Sequence, residues 1–161
     1  MTDNKQQQEA QQELQLGDIY YYGEEGTKVD KEQAFEHYLN AAKLGSSQAA
    51  HYVSDMYEDA DGVDKNEEES LKWLTESAQA GYTPAQYDLG VHYYNSDDFQ
   101  NALTWFYYAN LNGDKSAKKE IREILNDHPE IIVSILVQND ELKTKIKKLE
   151  KKVKKLDKSD D

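Results

Sequence analysis

The chain has 161 residues, only 37% of them hydrophobic, and no cysteine. That is room for one domain but little apolar material for a single large core, and it excludes disulfide frameworks, thiolate nucleophiles and cysteine zinc sites. The net charge of −13 hides a division: residues 1–142 carry −18 and residues 143–158 carry +7. An acidic body repels nucleic acid and anionic lipid, so basic or neutral protein surfaces are its matched partners.

Residues 1–9 are polar and Gln-rich and read as a disordered N-terminus. They hold no apolar stretch of the kind a secretory signal needs. The longest apolar run, from Ile131 to Val137, is far short of the roughly 18 residues of a membrane span. A soluble intracellular protein is expected.

From residue 10 to 126 the sequence repeats. Gly45, Gly81 and Gly113 follow one another at 36 and 32 residues, and each closes a similar stretch. The stretches run Ala34, His37-Tyr38, Ala41-Ala42; then Ser70, Trp73-Leu74, Ser77-Ala78; then Ala102, Trp105-Phe106, Ala109-Asn110. Upstream of each lies a second recurring stretch: Leu16-Gly17 to Tyr20, Val53-Ser54 to Tyr57, and Leu89-Gly90 to Tyr93. The period is therefore two helices, and the fold class all-α: a solenoid of about three two-helix units, each burying its apolar face against its neighbours. Capping boxes are read at Asp30/Gln33, Asn66/Glu69 and Thr83/Gln86, the last with Pro84 opening a helix. The glycines after the second helices suit left-handed helix ends. The column Ala41/Ser77/Ala109 lets helices approach closely, as Gly17 and Gly90 do within the first helices.

These residues resemble the Sel-one-like repeat of the tetratricopeptide superfamily, whose pattern runs Ala, Leu-Gly, Tyr, a Gly-x-Gly loop, then Ala, Trp-Tyr, Ala-Ala and Gly. The resemblance covers residues 10–125. The loop departs from the pattern at Gly23/Gly26, which stand one residue wider, at Ala60/Gly62, and at the shortened Asn95–Asp98. The resemblance implies an α-solenoid acting as an adaptor or assembly scaffold with varied partners.

Tyr20, Tyr57, Tyr93, Trp73 and Trp105 fall in the periodic columns and read as packing residues, their polar edges finding local partners. His37, His51, His92 and His128 lack the spacing of a zinc helix. The acidic loop Asp59–Asp64 lacks the oxygen ligand at position five and the glycine at position six of a calcium-binding turn. No metal, cofactor or small-molecule substrate is expected, and the chain is not expected to be an enzyme.

In tetratricopeptide-like solenoids the first helices line the concave face. Counting back from the aligned tyrosines puts Gln15, Asp18, Tyr21, Tyr52, Asp55, Glu58, Asp88, Val91 and Tyr94 there. None of the nine is Lys or Arg. The matched ligand is a protein or peptide bearing Lys or Arg, held by carboxylates and tyrosine faces.

The last segment, 127–157, opens with Asp127, Pro129 and Glu130 and is expected to be one helix, with 158–161 a short tail. Its heptad a positions are Ile132, Asn139, Ile146 and Val153, and its d positions Ile135, Leu142, Leu149 and Leu156. β-Branched residues at a, leucine at d and one Asn at a favour a parallel two-stranded coiled coil, hence a homodimer. The off-seam Ile131, Val133 and Leu136 are expected to pack against Ile121 and Leu125. The expected function is a dimeric interaction scaffold. The alternative is docking of the Lys-rich helix onto nucleic acid or an anionic membrane.

Overall fold

The computed structural model describes residues 2–132 and, beyond them, 134, 138, 139 and 144. The chain divides into two compact units, Met1–Glu120 and Ile121–Asp161. Among the described residues the structure is helical, without strands. The helices are α1 (Thr2–Tyr22), α2 (Lys31–Lys43), α3 (Ser47–Asp59), α4 (Glu67–Gln79), α5 (Thr83–Asn95), α6 (Phe99–Leu111) and α7 (Ala117–Asp127), with a 3-10 turn at Glu24–Gly26. In the first unit α1 pairs with α2, α3 with α4 and α5 with α6, and these hairpins stack through α2 on α3 and α4 on α5.

Within the first unit one small device, repeated, follows the second helix of each hairpin. After α2, α4 and α6 the residues Gly45, Gly81 and Gly113 take positive φ. The next residues, Ser46, Tyr82 and Asp114, then donate their N–H to the carbonyls of Ala41, Ser77 and Ala109. The small-residue column thus also receives the turn that launches the following helix. Within the hairpins, the N–H groups of Asp30, Asn66 and Asp98 donate to the carbonyls of Tyr20, Tyr57 and Tyr93. Each of these caps turns its side chain forward, accepting from the N–H of Gln33, Glu69 and Asn101. The loop after α3 comes close to the start of α2: a Cβ at Gly62 would run into the Lys31 carbonyl.

Close approach inside the hairpins is concrete. A Cβ at Gly17 would enter the ring of Tyr38, and one at Gly90 would meet Phe106 Cδ1 at 2.7 Å. The middle hairpin has Leu74 where the others have a ring, and there Ser54 takes the glycine position. Its Oγ donates to the Ser70 carbonyl at 2.9 Å, so the hydroxyl is buried and partnered. Ala41, Ser77 and Ala109 are at 0% exposure, and Ser77 Oγ donates to the Ser47 carbonyl at 2.6 Å.

Four expectations require correction. Residues 2–9 are helical, not disordered. The segment is tied down by Ala10 and Leu14, both buried, and by Gln6 Nε2 donating to the Leu44 carbonyl at 3.2 Å, and glutamine is itself a good helix former. Thr83 does not cap α5: the cap is Tyr82, whose side chain makes no cap hydrogen bond. Gln86 instead turns inward, donating to the Ala78 carbonyl at 3.1 Å and accepting from Asn112 Nδ2 at 2.8 Å. Trp73 Nε1 is buried without a hydrogen-bond partner among the described residues, unlike the satisfied ring edges expected of that column. Asp127 is the last residue of α7 and not the cap of a new helix; the helix is interrupted at His128 and Pro129 and residues 130–132 are helical again.

Of the heptad positions, Ile132 and Asn139 are described, and both are exposed. Ile135, Leu142, Ile146, Leu149, Val153 and Leu156, and with them the coiled-coil seam, lie outside the described residues. So do Val133 and Leu136 and the packing expected of them.

Candidate functional site

Helical spacing puts His51, Asp55 and Glu58 on one side of α3. Across from them α5 presents Asp88, Val91, His92 and Asn95. Between these two rows lies a cleft of about 410 Å³, with Ser70, Leu71 and Leu74 of α4 also in its lining and Lys65 and Glu67 contributing opposite charges. A second hollow, of about 140 Å³, is lined by Tyr21 and Tyr22 of α1, Tyr38 of α2, and Tyr52, Asp55 and Met56 of α3. Asp55 belongs to both linings, so a tyrosine-lined hollow and a carboxylate-lined cleft adjoin at one side chain.

Of the nine positions expected on the concave face, Asp55, Glu58, Asp88 and Val91 line the cleft, and Tyr21, Tyr52 and Asp55 the tyrosine hollow. Gln15, Asp18 and Tyr94 line neither. Gln15 is exposed. Asp18 accepts the Tyr38 hydroxyl at 2.8 Å, and burial together with that bond pushes the Tyr38 phenol well above its ordinary range. Tyr94 packs edge-on against Phe99 at 5.6 Å between ring centres.

The cationic and titratable groups beside this face, His51, Lys31 and Lys65 among them, were not expected there. His51 is 9% exposed. Its Nε2 is 2.7 Å from Asp88 Oδ2 on α5, and its Nδ1 is 3.5 Å from Asp55 Oδ2 on its own helix. The second contact is within ion-pair reach but makes no hydrogen bond. Lys31 holds its ammonium 2.9 Å from the centre of the Tyr21 ring and 3.2 Å from Asp61, so one tyrosine face expected for a ligand's cation already carries one from the chain itself. Lys65 stands in the cleft lining. The spacing of His51 to Asp55, four residues on one helix, was visible in the sequence; the partners across helices were not.

The electrostatics follow from this crowding. Burial pushes the Asp55 carboxyl up, and the nearby charges of Asp88, Glu58 and Asp59 add to it against the opposing pull of His51, leaving it at about 6. For His51, burial opposes the charged form, but the hydrogen bond to Asp88 and the charges of Asp55 and Asp88 outweigh it, and the imidazole lies above its ordinary value. The other histidines are placed differently. His37 stacks on Tyr20 with ring centres 5.3 Å apart and pairs with Glu13 at 2.8 Å. His92 lines the cleft, and His128 lies 3.2 Å from Glu130. Among the described residues no group of three or more His, Asp or Glu is disposed to hold a metal ion, and no helix is long and apolar enough to cross a membrane.

The chain is similar to several known proteins. An exopolysaccharide production negative regulator of Rhizobium leguminosarum bv. viciae is 35% identical over 87 residues, which is 53% of this chain and 30% of the regulator. A solved Sel1 repeat protein from Oxalobacter formigenes superposes with a TM-score of 0.67 at 27% identity, over 71% of this chain and 47% of that one. The uropathogenic Escherichia coli protective antigen c5321, which displays the SLR fold, gives a TM-score of 0.63 at 30% identity, over 67% of this chain and 24% of the antigen. The chain thus spans less than a third of the curated relative and half or less of these two solved proteins. Repeats of this kind generally mediate protein–protein contacts. The Sel1 repeat matches residues 13–46, 47–82 and 83–114 in three consecutive copies, each ending on the turn that launches the next helix, and the chain therefore belongs to the Sel1 repeat family.

Proposed function

We propose that the chain is a non-catalytic interaction scaffold whose acidic and aromatic face takes a Lys- or Arg-bearing segment of a partner protein. The observation that carries this reading is the convergence of Asp55, Glu58 and Asp88 on one cleft, next to a hollow walled by Tyr21, Tyr22, Tyr38 and Tyr52. Carboxylates from two different repeats meet there, so a cation entering the cleft contacts several of them at once. Beside it, ring faces offer cation–π and apolar contact to the flanking residue. Lys31 over Tyr21 is an example of that contact within the chain.

The test is calorimetric titration with an acetylated and amidated peptide of alternating glycine and arginine containing four arginines. Binding is expected to weaken with added salt and to be lost in Asp55→Lys and in Asp88→Lys, with circular dichroism unchanged. Binding that survives both reversals overturns the assignment to this face.

The second part of the reading is dimerisation through the heptads of residues 132–156, carried by the sequence pattern of β-branched a, leucine d and Asn139. Light scattering across a dilution series should show a dimer that dissociates on dilution and is abolished by Leu149→Asp. A monomer at tens of micromolar contradicts it. Tail docking onto nucleic acid or anionic lipid is the competing outcome, and would show as retention by duplex DNA or phosphatidylserine vesicles that modest salt removes.

A further inference from the structure

We propose that His51 is the residue that sets the cation affinity of the acidic cleft: it holds Asp55 and Asp88 from behind, and the proton it carries decides how much of their negative charge faces a ligand. The inference rests on the proposed basic-segment reading and adds the regulation of that site.

The geometry is specific. His51 is buried to 9% exposure, while the side chains of Asp55 and Asp88 that it touches are 50% and 47% exposed. The imidazole is therefore on the protein side of the two carboxylates and the ligand space on the other. Rings of Tyr82, at 5.5 Å, and Tyr52, at 6.3 Å, flank it. The charged groups around the cleft are Glu58 and Asp59 beyond Asp55 on α3, Lys65 and Glu67 at the α4 end, and His92 beyond Asp88 on α5. With its proton, His51 is a buried cation shared between two ligand-facing carboxylates. On losing it, His51 keeps one hydrogen bond to Asp88 and the cleft gains one unit of negative charge. The Asp55 carboxyl titrates in the same direction at about 6. A ligand cation and the His51 proton therefore compete for the same two carboxylates, and linkage makes the competition reciprocal.

The experiment is the same calorimetric titration with the glycine–arginine peptide, whose guanidinium groups do not titrate in this range, at pH 5.5, 6.5, 7.5 and 8.0 and constant ionic strength. It is run on the full chain, His51→Gln, Asp88→Asn, His92→Gln and His37→Gln. In the unmodified chain affinity should rise on the order of tenfold from pH 5.5 to 8.0. The dependence should flatten in His51→Gln, be reduced less in His92→Gln, which removes a second imidazole from the cleft lining, and stay intact in His37→Gln, which lies away from the cleft. Asp88→Asn changes an exposed carboxylate, and should both weaken binding and blunt the dependence even where His51→Gln does not fold. In parallel, the His51 ring resonances followed by NMR should titrate at lower pH with peptide present than without it. Binding that is lost in Asp55→Lys but is independent of pH keeps the groove reading and overturns this one. A dependence that vanishes in His92→Gln instead of His51→Gln overturns it as well. Absence of peptide binding at every pH overturns both readings.

Discussion

The seams inside the hairpins and the cleft between them draw on the same helices, and Ser54, Ser70 and Leu74 belong to both. In the seams everything is filled: Gly17 lies under the Tyr38 ring, Gly90 under Phe106, and Ala41, Ser77 and Ala109 are wholly enclosed. The buried Ser54 hydroxyl there is satisfied locally by the Ser70 carbonyl. In the cleft, carboxylates from two repeats crowd around half-open space, and a buried histidine is shared between them. The seam repeats because each hairpin must solve the same steric problem. The cleft does not repeat, because it depends on which side chains of neighbouring units meet.

The difference can be broken hardest from the seam side. Ala78→Trp puts an indole where 1% of the residue surface is exposed, and should cost roughly 3 kcal/mol by overpacking. A solenoid this short has no spare interface, so the helices should melt together at lower temperature. Unchanged thermal unfolding would remove Ala78 from the packing scheme. Gly90→Val should cost about 1–3 kcal/mol, since the Phe106 ring must move, and denaturant titration reads it directly.

A finer test exchanges the middle hairpin's solution for that of its neighbours. Leu74→Phe alone should destabilise by about 1–3 kcal/mol, and adding Ser54→Gly should recover part of the loss, a coupling that a double-mutant cycle measures. Simple additivity would mean that the ring and the glycine are not partners.

On the cleft side, stability should depend on pH more than on any single charge. His51 has a raised folded value, so its stabilising contribution is complete below its unfolded value of about 6.5 and is lost as pH rises through the folded value. Asp55, raised to about 6, acts in the same sense: its contribution is present below about 3.9 and lost as pH rises toward 6. Melting temperature should therefore fall from pH 5 to pH 8, and fall less in His51→Gln. The smallest effect is expected of Glu58→Lys, an exposed cleft residue, which should leave the melting temperature almost unchanged while weakening capture of the arginine peptide.

The seam was legible because one constraint recurs three times: Leu-Gly, Val-Ser and Leu-Gly face Tyr38, Leu74 and Phe106 in register, and periodicity needs no knowledge of neighbours. The caps at Asp30 and Asn66 were equally local. Thr83 misled because it has the right residue type one position late, and Gln86 found a better use inside. Residues 2–9 misled because composition is silent about a single anchor such as Gln6 to Leu44. In the cleft, Asp55 and Glu58 could be counted along α3, but the role of His51 depends on Asp88, 37 residues away, and Lys31 on Tyr21 likewise joins two elements. Such pairs are set by how helices stack, which periodicity does not encode.

The most direct test of the central claim, that the cleft side and not the outer helices does the binding, is NMR chemical-shift mapping of the arginine peptide on the full chain. The account predicts perturbations concentrated on residues 51–58 of α3 and 88–95 of α5, with smaller ones at Tyr21, Tyr22 and Tyr38 of the hollow and with α6 nearly silent. Shifts centred instead on the exposed Tyr107, Tyr108 and Leu111 of α6, or on the Lys-rich C-terminal segment, would contradict it.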